Sequence, residues 1–174
     1  MSLSESENDM DSRTTITPEV LVAHAKCPLK AYYLQNSPPT VCSHAYTRIL
    51  EEKTRKARAA YFKQLKLTRS EIVPYSVEAR RKGNPILLET VLVSGDMRAY
   101  ADALLLKNNS SKQFTVYQPV LVVGSHKVSK NDKLLLAFAA HVLSKLRKER
   151  PAHGSIVTAT GKTHKIKLDS LYLQ

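Results

Sequence analysis

Asp102 is the only acid within the run MRAYADALLL (97–106), and Gln118 is the only amide within FTVYQPVLVV (114–123). Both runs alternate as strands do, with Arg98, Tyr100, Asp102, Leu104 and Leu106 on one face of the first. If Leu106 pairs with Phe114 across the polar loop KNNSSKQ, Asp102 lies directly opposite Gln118. Side chains so paired have Cβ atoms about 4.5–5.5 Å apart, close enough for both oxygens to reach one metal ion. An acid in the middle of a sheet strand is costly unless it is paired or binds metal. Arg98, on the same face, offers the competing use, an ion pair. Pro119 cannot donate to a ladder, and a bulge there would move the register by one.

Other chemistry-bearing residues carry less. His126 and His141 are candidates for a base or ligand, although a histidine in an apolar helix is more often a core residue, and His153 and His164 flank the last strands. The sequence Gly124-Ser125-His126-Lys127 lacks the glycine spacing and the Lys-Ser/Thr ending of a phosphate loop. Tyr32, Tyr33 and Tyr61 have faces on which bases stack, but tyrosines at helical spacing are more often core.

The elements that must position these residues follow from punctuation and period. Residues 1–15 form an acidic tail with almost nothing to bury, and a tail of this kind is expected to be disordered. Thr17-Pro18-Glu19 has the form of a helix start, with a cap, a proline at the first position and an acid in the first turn. CPLKAYYLQN starts a second short helix that ends by Pro38-Pro39. A long helix is predicted over about 44–67, with Tyr46, Leu50, Thr54, Ala57, Tyr61 and Leu65 as its apolar stripe. Its other faces are crowded with Arg48, Arg55, Lys56, Arg58 and Lys63. Residues 69–85 read as irregular. Three strands follow at 86–93, 97–106 and 114–123, then a helix over 130–150 that is apolar all round in its middle. Two strands, 154–160 and 163–168, close the chain.

Composition names a class of partner. The 174 residues hold 27 Lys+Arg against 15 Asp+Glu, a formal net charge of +12. Four of the acids precede Arg13, so the body carries 27 bases against 11 acids, or +16. A surface this basic favours polyanions, nucleic acid ahead of membrane. Basic side chains of the long helix, with Lys145, Arg147 and Lys148 at the end of the late helix, are the candidates to track a phosphate backbone. No uncharged apolar run approaches a membrane span. The polar, acidic start does not have the pattern of a signal peptide, and two cysteines (Cys27 and Cys42) cannot ligate a structural zinc or an iron–sulfur cluster alone. A cytoplasmic protein with reduced thiols is expected.

The order helix, three strands, helix, strand resembles the core of PD-(D/E)XK nucleases. LVAHAKCPLKAYYL is similar to the "L…CP…YY" opening of RecB-like nuclease domains, and AYADALLLK to the strand with their first metal-binding Asp. YQPVLVV, DKLLLAFAAHVLSKL and GSIVTATGKTHKIKLDSLY resemble the later parts, so the likeness spans residues 16–172. It implies an α/β fold with a restriction-endonuclease-like core, a mixed sheet of four or five strands flanked by helices, in one domain over 16–174. It also implies a metal-dependent DNA nuclease that hydrolyses phosphodiesters with Mg2+ or Mn2+, without an iron–sulfur cluster, on single- or double-stranded DNA.

Carried over by position, Asp102 matches the first metal ligand and Gln118 stands where the family has Glu. Val120 takes the place of the motif's Lys, for which Lys127 or Lys133 is the replacement. Glu51 or Glu52 corresponds to the acid of the early helix. The departures at Gln118 and Val120 leave two expectations, a nuclease of weakened activity or a catalytically silent nucleic-acid-binding or scaffolding module. Relatives of this type often continue into a further nuclease-like domain, which makes such a domain a candidate partner.

Overall fold

A computed structural model describes residues 15–36, 45–69, 71–108, 115–147 and 150–168. Thr17 caps the first helix, α1 (Pro18–Lys26), its hydroxyl accepting from the Val20 N–H. Pro28 then opens α2 (Pro28–Asn36), and α3 (Ala45–Thr68) is the long basic helix. Residues 1–14 of the acidic tail and Lys148 lie outside the described residues.

The segment read as irregular contains two elements. The first is β1 (Ile72–Pro74), which pairs in parallel with β2 (Ile86–Ser94) through Ile72 and Ile86. The second is α4 (Val77–Arg81), a short helix capped by Ser76. A three-residue strand is too short to show a period, so only its neighbour reveals it. With β3 (Met97–Asn108), β4 (Thr115–Val122), β5 (His153–Val157) and β6 (Thr163–Lys167) the sheet has six strands, in the order β1-β2-β3-β4-β5-β6. The sheet is mixed, and it exceeds the expected four or five strands by the edge strand β1.

Pairing is antiparallel from β2 through β4 and parallel from β4 to β5. The parallel step is crossed by α5 (Lys130–Arg147). Ser129 starts that helix as a reciprocal cap: its N–H donates to Asp132 Oδ2 at 2.7 Å, and the Asp132 N–H donates to the Ser129 hydroxyl at 3.1 Å. Phe138, Ala139, Val142 and Leu143 of α5 pack on Leu87, Leu92, Ala99, Ala101 and Leu104. On the opposite face Ala57, Tyr61, Phe62 and Leu65 of α3 cover Ile86, Leu88, Ala103, Val120 and Val122. Tyr46 and Leu50, expected in the α3 stripe, are instead exposed.

These two clusters reveal a break in the strand period. Ala101 and Ala103 are two apart yet belong to opposite faces, and so do Leu88 and Leu92, which are four apart. The ladder pairs Leu88 with Ala103 and Thr90 with Ala101, and Glu89 and Asp102 between them drop out of it. Glu89 has φ +53°, the only positive φ among the described non-glycine residues. A left-handed residue inside a strand costs on the order of 1–3 kcal/mol and reverses which face its neighbours present. Asp102 therefore lines one cavity with Tyr100 but does not share a face with Leu104, as simple alternation would require; it sits at a bend.

Candidate functional site

The register between β3 and β4 differs from the expected one by three residues. Leu106 pairs with Tyr117, Leu105 with Gln118 and Leu104 with Pro119. The shift arises because β3 runs on to Asn108 before the chain turns, and the pairing passes through Pro119 without a bulge. Pro119 is tolerated because β5 pairs only with Val120–Val122, leaving Pro119 beyond that ladder. Gln118 consequently lies three residues along the strand from Asp102, roughly 10 Å at strand rise. The structure does not bring Asp102 and Gln118 together.

What meets Asp102 instead comes from the helix and from the end of β4. Arg58 Nε forms an ion pair with Asp102 Oδ1, and the Val122 N–H donates to Oδ2 at 2.6 Å. The Asp102 side chain is only 7% exposed, whereas that of Arg58 is 44% exposed. Burial pushes the Asp102 carboxyl above the usual carboxylate range; the Val122 N–H and Arg58 oppose that shift, and nearby Glu89 adds to it. Arg98, the competing partner that alternation offered, instead lies over the Tyr100 ring with 5.6 Å to its centroid.

The pair borders a cavity of about 420 Å³ at the bend. Glu89, Thr90 and Tyr100 contribute from the paired strands, Leu121, Val122 and Val123 from the end of β4, and Asp132 from α5. The Thr90 hydroxyl is buried with no hydrogen-bond partner among the described residues. Thr54, one turn before Arg58, also lines this cavity, and its hydroxyl accepts from the Gly124 N–H at 3.1 Å. A Cβ on Gly124 would come within 2.6 Å of the Thr54 backbone nitrogen, so only glycine permits this approach of β4 to α3.

The other expected site residues are dispersed. Glu51 and Glu52 face solvent, and Glu52 pairs with Lys56 at 2.7 Å one turn on. Lys127 and Lys133 are exposed and do not line the cavity that holds Asp102. Among the described residues no group of three His, Cys, Asp or Glu gathers to hold a metal. Magnesium requires hard oxygens in an octahedral shell. The set Asp102, Gln118, Glu51 and Glu52 does not fit that requirement, since its members are apart and both Asp102 oxygens are engaged.

Of the cationic candidates, Arg48, Arg55, Lys56 and Lys63 are exposed on α3, and Lys145 is exposed on α5, where Arg147 also lies. Arg58 is exposed too, but it differs from them in reaching the sheet, where it pairs with Asp102. Its placement has a sequence signal, because it follows Thr54 by four and precedes Tyr61 by three, inside the inward stripe. Glu89 had one too, as the acid within ILLETVLV. Beside the ion pair, Lys53, Lys56, His126 and the backbone at Gly124 line a second, basic cleft of about 310 Å³. Among the described residues no helix is long and apolar enough to cross a membrane. Compared with known proteins, the chain matches no family model and no curated sequence.

Proposed function

We propose that this chain is a nucleic-acid-binding module, built on a restriction-endonuclease-like core, in which an internal ion pair occupies the place of a hydrolytic metal centre. The order α3, β2, β3, β4, α5, β5 supports the core assignment. One observation carries the functional part: both oxygens of Asp102 are satisfied from within, by Arg58 and by the Val122 N–H. Each oxygen keeps a second lone pair, but the adjacent guanidinium already neutralises the carboxylate and repels a cation approaching it. The adjoining β4 residues, Leu121, Val122 and Val123, offer no charged side chain.

Nucleic acid is the ligand that the charge favours, and DNA is the form tested. Exposed Arg55, Lys56 and Lys63 line α3, and the cleft with Lys53, Lys56 and His126 lies along the same helix. Such contacts bind phosphates without reading sequence, and each one adds to the salt dependence of binding. Metal-dependent hydrolysis is the second reading, favoured by Glu89 and Asp132, which line the same cavity as Asp102.

The test is to titrate labelled single- and double-stranded DNA at several salt concentrations, and to incubate the same DNA with magnesium or manganese. Binding that weakens steeply with salt, with no cleavage that depends on Asp102, is expected. Metal-dependent cleavage that disappears in Asp102→Ala would overturn the proposal in favour of the nuclease.

A further inference from the structure

Tyrosines placed in the core by their spacing turn out to be on the surface. Helix α2 buries only Ala31, and it leaves Leu29, Tyr32, Tyr33 and Leu34 exposed, with Tyr32 at 60% and Tyr33 at 57%. The two rings meet edge to face, 5.9 Å between centroids at 73°, so each keeps a face toward solvent. A helix of nine residues with almost no buried face is held mainly by its neighbour α1, which leaves most of its apolar surface unused in the fold.

Along the chain, the charge that flanks these rings is of one sign. From Val20 to Leu50 the sequence contains no Asp or Glu, and it carries Lys26, Lys30 and Arg48. Lys26 and Lys30 are exposed at the end of α1 and in the first turn of α2. Tyr32 also forms a wall of a cavity of about 450 Å³ between the two helices, with Val20, Leu21 and Ala31 as apolar lining and His24 and Gln35 as polar groups. Apolar lining, an aromatic wall and two hydrogen-bonding side chains match a nucleobase, which has flat apolar faces and a polar edge. The absent acids and exposed lysines match the phosphate beside it.

We infer that α1 and α2 form a stacking site for an unpaired base, with Tyr32 as the principal platform, Tyr33 beside it, and Lys26 and Lys30 on the flanking phosphates. The inference rests on the nucleic-acid-binding reading and adds the form of ligand: a single strand, whose bases are free to leave the stack, in preference to a duplex. Ring stacking tolerates any base, so the site selects form over sequence.

The experiment uses the full chain with a short oligothymidine and with a duplex of equal length. Stacking contributes about 1–3 kcal/mol per base, a factor of roughly 5 to 150 in affinity. Tyr32→Ala is therefore expected to weaken single-strand binding about tenfold or more and to leave duplex binding unchanged, while Tyr32→Phe keeps wild-type affinity. Because the chain has no tryptophan, Tyr32→Trp creates a single reporter, and its fluorescence should be quenched on addition of the single strand.

Equal losses for both DNA forms, or binding without quenching, would overturn the inference. So would unchanged DNA binding by Tyr32→Ala together with loss of a concentration-dependent dimer, which would make a second copy the occupant. If the wild-type chain binds neither DNA form, the functional proposal falls as well; if it binds and Tyr32→Ala changes nothing, only the stacking site falls.

Discussion

Arg58 and Asp102, one from the middle of a basic helix and the other from a bend in the central sheet, close an ion pair over the core. The carboxylate is nearly out of water and the guanidinium is not, so the two ends of the pair respond differently to substitution. Removing Arg58 leaves a buried charge with one N–H partner, whereas removing the charge on Asp102 leaves an arginine free to turn to solvent.

Arg58→Met should therefore destabilise the chain by about 1.5 kcal/mol near neutral pH, the low end for a hydrogen bond to a charged group because Arg58 is partly solvated. In an Asp102→Asn background the same substitution should cost much less. Urea denaturation of the four proteins measures the coupling directly, and a coupling of zero would mean that the contact contributes nothing.

Asp102 also sets a pH dependence. Its carboxyl is raised in the fold, mainly by burial, so the folded state holds the proton more tightly than the unfolded chain. The stability from this group is complete below the unfolded value and is lost as pH rises through the raised folded value. Asp102→Asn removes that loss, so its melting temperature relative to wild type should increase from pH 4 to pH 8. A difference that stays flat across this range would contradict the burial of the carboxyl.

Thr90→Val tests the unpartnered hydroxyl at the same cavity. The swap keeps the shape and removes a buried polar group with no partner among the described residues. Thermal melting should show stabilisation of up to about 1 kcal/mol. A loss of that size would reveal a partner for the hydroxyl.

Gly124→Val addresses the seat of α3. The new Cβ would lie 2.6 Å from the Thr54 backbone nitrogen and 2.7 Å from its hydroxyl, inside any permitted contact. Because the obstacle includes helix backbone, α3 must move, at a cost of about 1–3 kcal/mol by chemical denaturation. Wild-type stability in this variant would mean that α3 does not approach β4 as described.

Tyr61 reports on the same docking by titration. Burial first, and the Asp102 charge second, push its phenol up to about 12. In an ultraviolet titration of the 8 tyrosines, Tyr61→Phe should remove one ring's amplitude from the late-ionising phase. A late phase that survives undiminished in Tyr61→Phe belongs to other rings.

Much of the architecture was legible in local signals. The caps at Thr17 and the proline at Pro28 start their helices where punctuation says they should, and the apolar runs at 86, 97 and 114 are strands. These readings succeed because capping and period are satisfied within a few residues. β1 escaped because three residues carry no period, and the exposed tyrosines of α2 escaped because helical spacing alone does not say whether a face is covered.

The candidate site was the least legible part. Sequence by itself identified Asp102 as the acid that needed a partner, and it predicted a long basic helix and the strands of an α/β sheet. Only the tertiary structure chose the partner. Arg58 wins over Arg98 and Gln118 because Glu89 takes a left-handed φ, both strands turn over at that point, and the β3–β4 ladder runs three residues off the expected register. Alternation is a local rule that assumes an unbroken strand; register and bends are decided by which faces the whole sheet can bury, and no window of a few residues contains that information.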